Sequence, residues 1–447
     1  MSAERWCIVG GGILGMTLAR LLARDGQDVT LWEGAPNFGG LASAWSLGEV
    51  VWDRHYHVTL FSDLALRELL RELDLEREID WVTTRTGFYA NGKLYSLSSL
   101  REYFTFPLLS PLEKLRLGAT IIYASRLTDW RSLERVSAIE WLTRLSGRGT
   151  VERIWYPLLR AKLGPNAEKV SAAFIWAIIA RMYGARRTGA KRELFGYVRG
   201  GYARILDRFV AALKGGGVRM AAGHPASSIA RRDGEGLIVA TADGAEEVFD
   251  RVVLTAAAPI ASRLCPQLTA KEHLLLEGVE YQGILCASLL LDGPISPYYI
   301  TNITEQWVPF TAVIEMSALV DRALFGGHSL VYLPKYVPSN DPAFSCSDEQ
   351  IENEFLDALE RMYGHFDRRA VRCFRISRVR YVLPLSTIGY SDRLPPMRTS
   401  MPGLYLVNSA HIQNGTLNVN ETVQLAHRAY PELLAAPPTF AKATNPA

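Results

Sequence analysis

The chain has 447 residues, 48% of them hydrophobic, and a formal net charge of +3. That is core material for two or three domains, and a balance so close to neutral, with no basic tail, excludes nucleic acid as the expected partner. Five dispersed cysteines with no Cys-x-x-Cys spacing give zinc and dithiol chemistry no support, so no metal site is expected, and they suit a reducing cytoplasm.

The first segment carries the most information. A short apolar strand, Trp6 to Val9, runs into Ile8-Val-Gly-Gly-Gly-Ile-Leu-Gly, where Gly10, Gly12 and Gly15 have the Gly-x-Gly-x-x-Gly spacing. The three positions must turn tightly after a strand, admit a pyrophosphate to the backbone and pack a helix closely on that strand, and each task excludes a Cβ. The helix from Ile13 to about Asp25 buries Leu14, Leu18, Leu21 and Leu22, and Gly26 closes it. Its free N–H groups, at Ile13 and Leu14 among others, point a positive dipole end at the phosphates. A second strand ends at Glu33, roughly 20 residues on, where a carboxylate meets a ribose hydroxyl. The chain enters its first strand within about five residues, which leaves no room for a signal peptide and supports a cytoplasmic location.

Beyond Glu33 comes Gly34-Ala-Pro-Asn-Phe-Gly39-Gly40-Leu41-Ala42. A nicotinamide enzyme has no need of that glycine pair, whereas a flavoprotein passes its chain beside the pyrophosphate and ribityl chain there. Helices then dominate from Ser62 to about Ala212: Leu64 to Leu73 with Asp63 as N-cap, Pro111 to Ile122, and Ala138 to Leu145. One hairpin interrupts at Phe88–Tyr95, turning on Asn91-Gly92. Ala172 to Ile179 is the most apolar helical segment; it is far shorter than the ~20 residues of a membrane span and reads as a buried helix in preference to a membrane-surface one. Gly215-Gly216-Gly217 ends a helix, and Leu237–Ala242, a turn at Asp243-Gly244 and Glu247–Leu254 form a meander. Strands are expected at Leu285–Leu291, Pro309–Glu315 and Leu330–Leu333, then a helix over Ser347–Tyr363, strands from Tyr381 to Leu404–Val407, and a helix over Glu421–Ala429. No internal repeat is present.

The run from Ile8 to Ala42 resembles the N-terminus of the flavin-containing amine oxidase superfamily, which includes protoporphyrinogen oxidases, phytoene desaturases and, more distantly, UDP-galactopyranose mutases. The resemblance continues in Val51–His57, in Phe195–Tyr202, in Val248–Ala256, and in Met401–Asn408 leading to Asn418-Val419-Asn420-Glu421-Thr422. It implies an α/β fold, with an FAD-binding Rossmann-like domain of the glutathione-reductase type interleaved with an α+β substrate-binding cap. Segments 1–62, 198–280 and 380–432 would build the flavin domain, 63–197 and 281–379 the cap, and 433–447 a flexible tail. Non-covalent FAD would be held by Gly10, Gly12, Ile13, Leu14, Gly15, Glu33, Gly39, Gly40, Leu41, Ala42, His57, Ala226, Ala256, Asn408, Asn418, Val419 and Asn420. The last helix would bring its N-terminus to the flavin pyrimidine, with Asn420 as a cap.

Flavin carries the hard chemistry, so candidate side chains are those that orient substrate or tune the ring. His57 fits a flavin or substrate contact and equally a histidine bonded within a tight turn. Lys335, at a strand end in the cap, resembles the lysine some amine oxidases set near the flavin. Arg181, Arg186 and Arg187, continued by Lys191 and Arg192 and flanked by Tyr183 and Tyr197, suit an anionic substrate group, or else form a solvated loop. The partner expected is a small organic substrate, anionic or lipid-like. The leading function is an FAD-dependent oxidoreductase taking a hydride from a C–N or C–C bond at flavin N5. The alternatives are a non-redox flavoenzyme resembling UDP-galactopyranose mutase and a flavin-binding protein without turnover.

Overall fold

The computed structural model describes residues 4–184, 194–232, 234 and 236–435. Strand β1 (Arg5–Val9), helix α1 (Ile13–Arg24) and strand β2 (Asp28–Glu33) form the opening crossover. They belong to a five-stranded, wholly parallel sheet ordered Arg219–Ala222, β2, β1, Arg251–Leu254, Leu404–Leu406. Ile8 lies opposite both Leu31 and Val253, and the central strands are buried on both faces, as a parallel sheet covered on each side requires. Helix α1 packs Leu14, Leu18 and Leu22 into a core shared with Val423, Ala426 and Leu433 of the C-terminal helix Val419–Leu434. That helix runs to Leu434, past the Ala429 end read from the sequence and into the segment expected to be a tail.

The segment Glu247–Leu254, expected as one strand, is two. Glu246–Phe249 closes a three-stranded antiparallel sheet with Ala226–Arg232 and Gly236–Thr241, while Arg251–Leu254 joins the parallel sheet. Asp250 is the corner. Its carboxylate and its backbone N–H bond the N–H and carbonyl of Arg5. Each half ends in apolar residues, Val248-Phe249 and Val252-Val253-Leu254, with only Asp250 and Arg251 between, so alternation alone does not reveal the change of sheet.

The second large unit is a seven-stranded mixed sheet ordered Val371–Pro384, Tyr281–Leu291, Ser329–Pro338, Ala312–Glu315, Ile300–Ile303, Thr86–Ala90, Lys93–Ser96. Tyr281–Leu291 is buried at every position. One face of the sheet packs on the helix Asp348–Met362 through Leu333, Phe355 and Leu359. The other face packs through Ile284, Cys286, Leu290 and Tyr332 on the hairpin Ala44–Leu47/Val50–Asp53. A helical cluster, Pro111–Ala124, Ala138–Ser146, Tyr156–Leu163 and Ala172–Gly184, flanks this sheet. Residues Ala172 to Ala177 and Ile179 are buried in its core, so the segment weighed as a membrane-surface helix is a core element. Among the described residues no helix is long and apolar enough to cross a membrane.

Candidate functional site

The site begins where β1 ends. Gly10 has φ +116°, and a Cβ on it would lie 2.2 Å from the Thr255 hydroxyl; a Cβ on Gly15 would lie 1.9 Å from the Gly10 carbonyl. Those two glycines are therefore forced by the turn and by helix–strand contact. Gly12 is different. A Cβ there would meet only Gly40 Cα, at 3.9 Å, so its bareness leaves open backbone instead of avoiding a clash. It is the N-cap of α1 and gives that helix no side-chain cap, so the first N–H groups remain available to an anion.

The second glycine pair lies directly alongside. Gly39 and Gly40 have φ +114° and +57°, and the Gly39 N–H donates to the Gly11 carbonyl at 2.8 Å. Glu33 ties the walls together, its two carboxylate oxygens accepting from the Gly11 and Ala35 N–H groups at 2.7 Å each. Further along the same crevice, the Asn408 amide donates to the Ala256 carbonyl at 3.0 Å, and the His224 N–H donates to the Glu33 carbonyl at 2.9 Å, two residues before Ala226. Crevices at the carboxyl ends of parallel strands are where such sheets bind ligands.

From Ala42 the chain crosses to the junction of the two sheets, through Trp52–His57. Asp53 is buried and accepts the Tyr202 N–H at 2.7 Å, at the Gly200-Gly201 turn; the Tyr332 hydroxyl donates to the Asp53 carbonyl at 2.6 Å. The His57 Nδ1 lies 3.8 Å from the Asp53 carboxylate, and its ring packs on Tyr202 at 4.8 Å between centroids. Neither His57 Nδ1 nor the Tyr202 hydroxyl has a hydrogen-bond partner. His55 is spoken for: Nδ1 bonds the Leu41 carbonyl at 3.0 Å and Nε2 the Ser377 hydroxyl at 3.1 Å. Burial pushes its pKa down to about 3, so it is a neutral structural imidazole. Tyr56, between the two histidines, shares a hydrogen bond with the Tyr336 hydroxyl at 3.1 Å, and burial raises the pKa of both phenols, that of Tyr336 to about 12.

The profile of flavin containing amine oxidoreductases matches residues 15–429. The chain belongs to that family. Coproporphyrinogen III oxidase of Mycobacterium tuberculosis (strain H37Rv) is 22% identical over 459 residues, covering 98% of each chain. A protein from Exiguobacterium sp. 255-15, provisionally assigned as a protoporphyrinogen oxidase, overlays with a TM-score of 0.76 at 21% identity, covering 97% of this chain and 99% of that one. Reduced UDP-galactopyranose mutase overlays with a TM-score of 0.73 at 14% identity, covering 100% and 97%. The protein is thus an oxidoreductase of a flavin-using family, and the residues present fit such a cofactor: a bare-backbone crevice at Gly12 and Gly40, and orphaned polar atoms on His57 and Tyr202 where the crevice ends.

Within this flavin-enzyme fold several expectations need correction. Lys335 points away from the junction. Its ammonium pairs with both Glu354 oxygens at 3.1 Å and lies over the Phe355 ring, on the sheet face that carries the helix Asp348–Met362. Strand alternation is the cause, because Tyr332 and Tyr336 take the other face. Asn420 does not cap its own helix; Asn418 does, accepting the Glu421 N–H at 3.0 Å. The Asn420 side chain instead accepts the N–H groups of Ala65 and Leu66 at 3.0 and 3.1 Å, capping the helix Leu64–Glu72. Asp63 is the N-cap residue of that helix as expected, but its side chain makes no cap bond; it is buried and forms an ion pair with Arg181 at 3.0 Å.

That pairing consumes the charge of Arg181. Arg186, Arg187, Lys191 and Arg192 lie outside the described residues. Tyr183 is half-buried, and Tyr197 is buried within the strand Leu194–Val198. A cation beside the tyrosine pair is one the sequence reading passed over: Lys162, at the end of the helix Tyr156–Leu163, with its ammonium 5.4 Å from the Tyr336 ring centroid. Burial, then the nearby Arg181 charge, lowers its pKa to about 8.

Proposed function

We propose that the protein binds FAD non-covalently and removes a hydride from a C–N or C–C bond of a small organic substrate. The observation that carries this reading is how the segments are joined: the bare glycine backbone of Gly10–Gly15 and Gly39–Gly40 is tied to the strap Asp53–His57 by the His55–Leu41 carbonyl bond at 3.0 Å and the Arg54 N–H to Ser43 carbonyl bond at 2.9 Å, and the strap packs on the tyrosine-bearing face of the mixed sheet. Gly10, Gly12, Gly15, Gly39, Gly40, Leu41 and Ala42 would hold the pyrophosphate and ribityl portion, Glu33 the ribose, and Ala226, Ala256 and Asn408 the adenine-side wall. Ile13 and Leu14 open α1, and the helix N-terminus at Asn418–Val419 would offer a positive dipole end to the flavin.

Bound flavin supplies the hydride acceptor. The chain supplies orientation: Asp53 fixes the Tyr202 backbone and faces the His57 imidazole at 3.8 Å. The His57 and Tyr202 rings and the sheet face would exclude water from the reacting edge of a bound flavin. Substrates of the curated relatives, porphyrinogens among them, mark the size range to try first.

The test is spectroscopic. Purified protein should be yellow, release FAD into the supernatant on acid denaturation, and bleach anaerobically with substrate. A preparation that stays colourless and inactive with added FAD defeats the reading. The mutase reading has less support, since the overlay at 14% identity speaks to fold alone and Arg181 is neutralised by Asp63; activity appearing only after dithionite, with no net oxidation, would restore it.

A further inference from the structure

Lys162 is partly buried, yet among the described residues no carboxylate lies within ion-pair distance of it and no side chain accepts a hydrogen bond from its ammonium. An ammonium withdrawn from water without a counter-charge is costly, so its position needs a reason. The packing around it is committed. The Thr311 hydroxyl donates to the Ala161 carbonyl at 2.8 Å and the Gln282 amide to the Lys162 carbonyl at 3.5 Å, pinning the end of this helix to the mixed sheet. Its neighbours offer donors and no anion. Tyr56 and Tyr336 share one hydrogen bond between two hydroxyls, which uses one phenolic hydrogen and leaves the other without an acceptor. The nearest other cation, Arg181, already has Asp63.

We infer that Lys162, with the spare hydroxyl of the Tyr56–Tyr336 pair, binds a carboxylate carried by the substrate. This rests on the oxidoreductase reading above and deepens it by naming a substrate class, an organic acid with an apolar body. The geometry supports a carboxylate for two reasons. The Lys162 ammonium stands over the ring of Tyr336, so its hydrogens and the one spare phenol hydrogen of the tyrosine pair belong to neighbouring groups, and the surrounding rings suit an apolar remainder. Tyr56 immediately precedes His57, so an acid held here lies beside the strap that ends the crevice. Lys162 is thus a positioning residue that selects for charge.

Calorimetric titration of the purified holoprotein with benzoate and with benzamide tests this, alongside flavin content measured on the same sample. Benzoate should bind and benzamide should not. Lys162→Met should weaken benzoate by about 10–100-fold, the range for a charge-assisted hydrogen bond, with flavin content unchanged. Lys162→Arg should stay within a few-fold of the parent, and Tyr336→Phe should show a smaller loss. Equal binding of acid and amide, benzoate affinity unchanged in Lys162→Met, or no benzoate binding to flavin-loaded parent protein each overturns the assignment. A preparation without flavin that still distinguishes acid from amide through Lys162 would instead count against the oxidoreductase reading alone.

Discussion

His55 and His57 stand two residues apart and do opposite things. The first has both ring nitrogens bonded and is held neutral; the second keeps Nδ1 without a hydrogen-bond partner, 3.8 Å from a buried carboxylate. A histidine whose folded pKa lies near 3 against 6.5 when exposed binds its proton more readily in the unfolded chain. Its contribution to stability is therefore complete above pH 6.5 and is lost as pH falls toward 3, amounting to about 2 kcal/mol at pH 5. Glu315 acts in the opposite sense. Burial raises its pKa from 4.5 to about 7, so stability declines as pH rises through that window. The difference between parent and His55→Gln isolates the histidine: melting temperatures followed from pH 7 to 4.5 should fall less steeply in the variant, and parallel curves would refute the neutral-imidazole role. Little of this was legible beforehand. The motif Asp-Arg-His-Tyr-His marks the segment, but which ring is satisfied depends on Leu41 and Ser377, the latter more than three hundred residues away. Lys335 and Lys162 teach the same lesson, since residue type and a strand end do not say which face of a sheet a side chain takes.

At the scale of elements, local grammar was reliable where the signal is chemical. The Asn91-Gly92 turn forms as expected, both residues adopting positive φ between Thr86–Ala90 and Lys93–Ser96. The glycine spacing at Gly10, Gly12 and Gly15 gave the strand–turn–helix as read. The strand Val371–Pro384 was largely missed, because Arg372, Arg375, Arg378 and Arg380 break its apolar pattern; as an edge strand it carries charge that discourages pairing with other chains. Capping across helices was also invisible. Asn420 satisfies two N–H groups of a helix far away in sequence, whereas Asn418 satisfies one in its own. Asn420→Ala should therefore cost about 1–3 kcal/mol by leaving donors stranded, and Asn418→Ala only about 1 kcal/mol. Urea unfolding of the two variants checks the order; equal losses would show that the inter-helix contact contributes nothing special.

At the scale of the whole molecule, the parallel sheet draws its strands from residues 5–33, 219–254 and 404–406, with the mixed sheet built from the lengths between. That alternation of segments could be anticipated from the order of glycine-rich, helical and strand-rich stretches, although which strand joins which sheet could not. A chain truncated after Ser400 loses the edge strand Leu404–Leu406 and the helix on which α1 packs. It should retain no flavin and should bind a hydrophobic dye; flavin retention at parent level would mean that the C-terminal helix is dispensable for the crevice.

The helix that follows the first glycines is therefore seated on a segment very distant from it along the polypeptide. Until those two lengths meet, Leu18 and Leu22 lack part of their apolar surroundings. Contacts spanning so wide a sequence separation form slowly, so this cleft should assemble after the local hairpins and helices are in place.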